Sequence, residues 1–175
     1  DRRSGGNGVY LLSFQPEEEV ARIIQYAREQ GRSRFAALSP QTPYGGLVEQ
    51  AFRRSVTESG GTIPATATYT RNQAAMNEPV RSIAQSGFAA VLIPEGGQGL
   101  KGLAPLLPYN NVDPRQVKFL GTGLWDDPTI VREPSVYGGW FAAPDPGARA
   151  AFAERFQASF GYAPPRIASL SYDAG

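Results

Sequence analysis

Short apolar runs alternate with segments of helical spacing along nearly the whole chain, and few folds accept that order. Residues 9–14 (VYLLSF) form the first run. Gln15-Pro16-Glu17-Glu18-Glu19 then opens a helix, with a proline early and acids in the first turn, where the helix dipole favours them. Val20, Ile23, Ile24 and Ala27 recur at i, i+3, i+4 and i+7, which buries one stripe, and Gly31 closes the helix. The phrase then repeats. Strand 34–38 precedes a helix at 43–59, strand 62–69 a helix near 74–86, and strand 88–93 a helix near 98–107. Strand 117–120, an apolar run within 136–142 and a helix at 146–160 complete the chain. Strands separated by helices of about 10–16 residues are βαβ units. Such units set strands parallel with helices on both faces, so the predicted fold is α/β, a three-layer α/β/α sandwich with a mainly parallel sheet. Runs 34–38 and 88–93 are almost continuously apolar, which predicts strands buried on both sides.

A chain of 175 residues suits one domain with a sizeable core. Its 17 Lys and Arg nearly balance 16 Asp and Glu, so no basic excess points to nucleic acid. With no Cys and no His, disulfides, thiolate nucleophiles, imidazole triads and the common Cys and His metal sites are excluded. No metal and no cofactor are expected. Lack of Cys fits an oxidising compartment. No apolar stretch reaches the roughly 18 residues that a membrane-spanning helix needs. The chain starts at Asp1 without Met or a visible signal peptide and stops at Gly175 with no helix stop before it, so it is expected to be part of a longer protein.

Ligands of open parallel sheets bind beyond the carboxyl ends of the strands. Three unusual loops are predicted there: 39–46 (SPQTPYGG), 94–99 (PEGGQG) and 121–128 (GTGLWDDP). In the first, Thr42 can cap the helix and Pro43 suits its first position. Tyr44 then stands at the mouth of the sheet, either lining a site or covering the sheet end. The glycines beside it serve either a ligand or close helix–strand packing. In the second, Gly97, Gly99 and Gly102 make a formal G-x-G-x-x-G, but no acid ends the next strand, as a dinucleotide site requires. A nucleotide-dependent enzyme is therefore the minor reading. In the third, Trp125 either offers an apolar face to a ligand or plugs the end of the sheet, Asp126 either supplies a charge or starts a turn before Pro128, and Asp127 reads as a turn residue. Glu95 and Asp126 are a candidate glycosidase pair with no separation fixed by the sequence. Glu17 to Glu19 read as a solvated helix start, and Phe152, Phe156 and Phe160 as a core stripe.

The stretch from Val9 to Ile63, with Tyr44-Gly45, FLGTG at 119–123 and SYDA at 171–174, resembles the second lobe of type I periplasmic binding proteins, the leucine/isoleucine/valine-binding family. The resemblance implies a non-catalytic, extracytoplasmic ligand-binding domain for an amino-acid-like or other small polar ligand, closed by a first lobe and serving transport. One lobe alone would bind weakly. Residues 1–8 would be a flexible lead-in, 9–163 the lobe, and 164–175 a segment returning toward the missing first lobe. Tyr44 matches a family tyrosine facing a bound amino acid. Gly96-Gly97 stand where amino-acid binders often carry another aromatic, and Gly123 where they carry an acid for the ligand's ammonium group. The implied ligand-facing set is Gln41, Thr42, Tyr44, Gly96, Gly97, Gln98, Thr122, Trp125 and Asp126.

A closer resemblance, through GTGLWDDP and the stretch from Tyr137 to Ala174, is to penicillin-binding-protein activators, outer-membrane lipoproteins of the cell envelope. That branch implies the alternative function, a protein-interaction module regulating peptidoglycan synthesis. Its partner would be a peptidoglycan synthase in place of a membrane transporter, and it would carry a lipid anchor. Trp140, Phe141 and Pro144 to Pro146 would then form an exposed contact.

Overall fold

The apolar run of the first complete unit becomes β1, Arg34–Pro40, an interior strand of a parallel sheet. The computed structural model describes residues 15–144, 146–164 and 168. The strand expected at 9–14, the lead-in at 1–8 and the SYDA segment lie outside the described residues. The chain divides into two compact units, Pro16–Ala142 and the remainder.

In the first unit the strands are β1, β2 (Thr62–Tyr69), β3 (Ala90–Leu92), β4 (Lys118–Gly121) and β5 (Trp140–Phe141), in the order β2-β1-β3-β4-β5. All four pairings are parallel. Alternate residues of the central strands serve opposite cores, which is why these runs carry no polar face. Phe35, Ala37, Ala90, Leu92 and Leu120 meet helices α1 (Pro16–Glu29) and α2 (Pro43–Glu58). Ala36, Leu38, Val91, Ile93 and Phe119 meet α3 (Asn77–Ala84), α4 (Gly97–Leu103) and α5 (Leu106–Tyr109). This is the predicted three-layer sandwich. β2 lies at an edge and is only half buried, with a register shift where Pro64 breaks the run of N–H donors.

Two helices differ from their expected spans. The helix near 98–107 is split, because Pro105 has no N–H to give and its ring opposes the preceding turn; α4 ends at Leu103 and α5 begins at Leu106. The helix near 74–86 shortens to Asn77–Ala84, preceded by a 3₁₀ turn at Gln73–Ala75 that Asn72 caps. Between β4 and β5 come a 3₁₀ turn at Gly123–Trp125, the short helix α6 (Pro128–Val131) and another 3₁₀ turn at Pro134–Val136. Trp140 and Phe141 pair with Leu120 and Gly121 as an edge strand. Trp140 meets Tyr26 edge-on at 5.1 Å between ring centroids and carries the Lys118 ammonium 4.9 Å from its centroid. The pair expected as an exposed contact is thus found as half-buried residues of the sheet edge.

In the second unit α7 spans Pro146–Phe160 and closes on Gly161 at φ 77°, as the sequence predicts. Its phenylalanines do not form a closed core. Phe152, Phe156, Phe160 and Tyr162 stack successively, and Phe160 keeps 60% of its surface exposed. Spacing by four places the helical rings one above another, which is what brings them together. Pro144, in the expected contact, is half buried, and Asp145 lies outside the described residues. No described helix is long and apolar enough to cross a membrane.

The paired glycines at the start of α2 are not equivalent. A Cβ on Gly45 would run into the Pro40 carbonyl, whereas one on Gly46 would meet nothing within 4 Å. Gly45→Ala is therefore expected to destabilise by about 1–3 kcal/mol through overpacking. Gly46→Ala is expected to stabilise by about 0.5–1 kcal/mol by restricting the unfolded chain within a helical position. Urea melts of the two variants check the opposite signs.

Candidate functional site

The carboxyl ends of β1, β3 and β4 carry the three loops, and side chains tie them together. Thr42 begins α2 with extended backbone, and its hydroxyl accepts from the Gly45 N–H at 3.1 Å. That hydroxyl is used as a cap, while Thr42 stays half buried and keeps its O–H donor. The turn directs Tyr44 across the end of β3, where its hydroxyl lies 2.9 Å from Thr122 Oγ1. Tyr44 is half buried and Thr122 wholly buried, so the tyrosine, not the threonine, reaches the surface. Gln41 is exposed, with its amide on Thr68 Oγ1 at 3.3 Å. Gly97 and Gln98 are exposed, and Gly96 is half buried, close under Leu124.

Trp125 corrects the expectation most clearly. It is 2% exposed, and its indole N–H donates to the Glu95 carbonyl at 3.0 Å. A Cβ on Gly121 would strike its ring, and one on Gly139 would come within 2.6 Å of it. The indole fills the sheet end with no face turned to solvent. Its neighbour Leu124 is 42% exposed and supplies the apolar surface of the rim instead. Asp126 is half buried beside it. Asp127 caps α6 by accepting from the Thr129 N–H at 2.7 Å, and that bond holds its carboxyl below the usual range.

The best-connected side chain is one read from the sequence only as half of a glycosidase pair. Glu95 is 3% exposed. Its carboxylate accepts from the Tyr69 hydroxyl (3.0 Å), from Arg71 Nε (2.9 Å) and Nη2 (3.0 Å), and from the Gly96 N–H (3.1 Å). A Cβ on Gly99 would come within 2.7 Å of this carboxyl, so that glycine lets α4 pass over a charge. The formal G-x-G-x-x-G therefore has local causes: Gly97 takes φ 52°, Gly99 clears Glu95, and a side chain at 102 would meet only Met76 at van der Waals distance. A buried carboxylate with all these donors is a hub, not a general acid facing Asp126 across a cleft. Among the described residues no group of three His, Cys, Asp or Glu is arranged to hold a metal ion.

Sequence reasoning also missed Glu19. Read as part of a solvated helix start, it reaches the third loop, where its Oε2 accepts from the Gly123 N–H at 2.9 Å. A carboxylate thus stands at position 123 although the residue there is glycine. Glu17 is half buried, with one carboxyl oxygen buried and unpartnered, as is the hydroxyl of Ser39 at the end of β1.

Burial, then the negative charge and hydrogen bond of Glu95, push the Tyr69 phenol far above its ordinary value. The folded protein therefore keeps this proton where the unfolded chain releases it, near pH 10. Stability from Tyr69 is complete below that pH and declines as pH rises above it. Tyr69→Phe is expected to flatten the fall in melting temperature between about pH 10 and 11; an unchanged slope in alkaline thermal melts would count against the assignment.

A family model described as periplasmic binding protein matches residues 2–175. The chain belongs to the periplasmic binding protein family. Among curated proteins none is similar enough to match. Similar solved structures include a branched-chain amino acid ABC transporter periplasmic ligand-binding protein from Burkholderia xenovorans LB400, with TM-score 0.74, 21% identity, 94% of this chain covered and 45% of that one. A solute-binding protein of an ABC transporter from R. palustris, in complex with benzoate, gives TM-score 0.71 and 18% identity over 94% of this chain and 46% of its own. A substrate-binding protein from Desulfitobacterium hafniense, in complex with Leu, gives TM-score 0.65 and 20% identity over 91% and 47%. These likenesses show the fold. This family member spans about half the length of the solved structures it matches.

Proposed function

We propose that the chain is one lobe of an extracytoplasmic solute-binding protein that performs no catalysis and presents a small polar ligand to a membrane ABC transporter. The observation that carries this reading is the meeting of Tyr44 and Thr122. A half-buried hydroxyl is held at the carboxyl edge of a parallel sheet, between loops from two strands that flank β3. That edge is where open α/β sheets bind ligands. Leu124 and Asp126, from the same loop as Thr122, add an apolar patch and a charge. A first lobe would close over this surface, with affinity arising from contacts on both sides. The ligands named for the solved relatives, leucine and benzoate, both carry a carboxylate and an apolar body. The activator alternative draws nothing from Trp140 and Phe141, which are occupied in the sheet edge.

Titration calorimetry of the intact two-lobed protein with leucine, benzoate and 4-hydroxybenzoate tests the reading. At least one is expected to bind, and Tyr44→Phe is expected to weaken it about 2- to 10-fold by removing one hydrogen bond. No heat from any of them would contradict it.

A further inference from the structure

A groove of about 500 Å³ opens between the turn after β2 and helix α4, within the size range of small-molecule sites. We infer that it binds a small carboxylate anion, with the Arg71 guanidinium as its anchor. Four polar side chains line it, Arg71, Gln73, Gln98 and Lys101, with Met76 as an apolar floor and no acid among the lining residues. The charged groups that face the groove are thus cationic, with their acidic partners set behind them: Glu95 behind Arg71, and Asp127 and Glu133 near Lys101.

Arg71 is prepared for this. Its Nε and Nη2 are held by the buried carboxylate of Glu95, itself fixed by Tyr69. The side chain is nevertheless 55% exposed, and Nη1 takes no part in the bonds to Glu95. The entropy of ordering a long arginine is already spent in the fold, so a ligand meets a positioned donor. The Lys101 charge is shared, since it helps hold the Asp127 and Glu133 carboxyls below their usual range. That makes Arg71 the primary anchor and Lys101 a secondary one. Met76 forms the floor of the groove and, at 4% exposed, leaves little surface to a ligand, so the contacts on offer are the guanidinium, the ammonium and the two glutamine amides. The groove takes Gln98 from the ligand-facing set and neither Tyr44 nor Thr122, so it goes beyond the reading above and can be tested apart from it.

The test is amide NMR of the intact protein titrated with benzoate into the millimolar range, with benzamide as the uncharged match. Shifts are expected to cluster at Gln73, Gln98, Gly99, Lys101 and Gly102, and benzamide to bind about tenfold more weakly for want of a charge-assisted bond. Arg71→Met is expected to weaken benzoate about tenfold as well. Because that change strands Glu95, Lys101→Gln serves as a second variant that leaves the buried carboxylate paired, with a smaller loss expected. Absent shifts in the groove, equal binding of benzamide, or unchanged affinity in both variants would overturn the inference. Shifts confined to Tyr44 and Thr122 would overturn it while leaving the solute-binding reading intact.

Discussion

Replacing Trp125 with alanine is expected to lower the unfolding free energy by about 3–5 kcal/mol, the usual cost of deleting a fully buried aromatic ring. In a chain of this length that corresponds to a fall in melting temperature of roughly 6–20 °C. The reason is local and specific. The indole lies where side chains at 121 and 139 would stand, and its N–H is bonded to the Glu95 carbonyl, so its removal leaves a cavity and an unpaired buried acceptor. Trp125→Phe would keep most of the volume and lose the hydrogen bond, and is expected to cost about 1–2 kcal/mol. Thermal denaturation of the two variants checks the order. Had the indole lain open on the rim, Trp125→Ala would leave stability within about 0.5 kcal/mol.

Glu95→Ala is expected to cost about 2–4 kcal/mol, measured by denaturant titration. The ion pair with Arg71 supplies little of this, because the arginine is half exposed and its charge is well solvated. The cost comes from the Tyr69 hydroxyl, left buried without its acceptor, and from the space the carboxyl occupied. Glu95→Gln keeps an acceptor and the shape, so it should fall between the wild type and alanine. The same substitution is expected to loosen loop 94–99, since the Gly96 N–H also loses a charged partner. Faster hydrogen exchange at Gly96 in Glu95→Ala is the corresponding observation.

The layers were legible because the relevant signals are local. Apolar spacing in α1 and α2, the capping sequence Thr42-Pro43 and the terminal glycines 31, 60 and 161 act within a turn of the residues concerned. The break at Pro105 was missed although its signal is local too: the apolar spacing of residues 100, 103 and 107 ran through a proline that cannot continue a helix. The site was less legible. Whether Trp125 faces in or out depends on space left by Gly121 and Gly139; Gly121 ends β4, and Gly139 directly precedes β5, its partner strand. Glu95, Tyr69 and Arg71 meet because the ends of β2 and β3 converge over β1, and strand order is not encoded in any one segment. One signal was present: an acid three residues beyond a strand buried on both faces needs partners, and a tyrosine ends another strand with an arginine two residues on. Glu19 gave no such signal, as acids in a first turn are common for helix-dipole reasons alone.

The most direct measurement is a crystal structure of the intact protein with whichever of leucine, benzoate or 4-hydroxybenzoate binds in calorimetry. The account predicts ligand density at the carboxyl edge of this sheet, with a polar ligand atom within hydrogen-bond distance of the Tyr44 hydroxyl. Density at the opposite edge of the sheet, or on the outer faces of the helices with Tyr44 and Leu124 untouched, would contradict it.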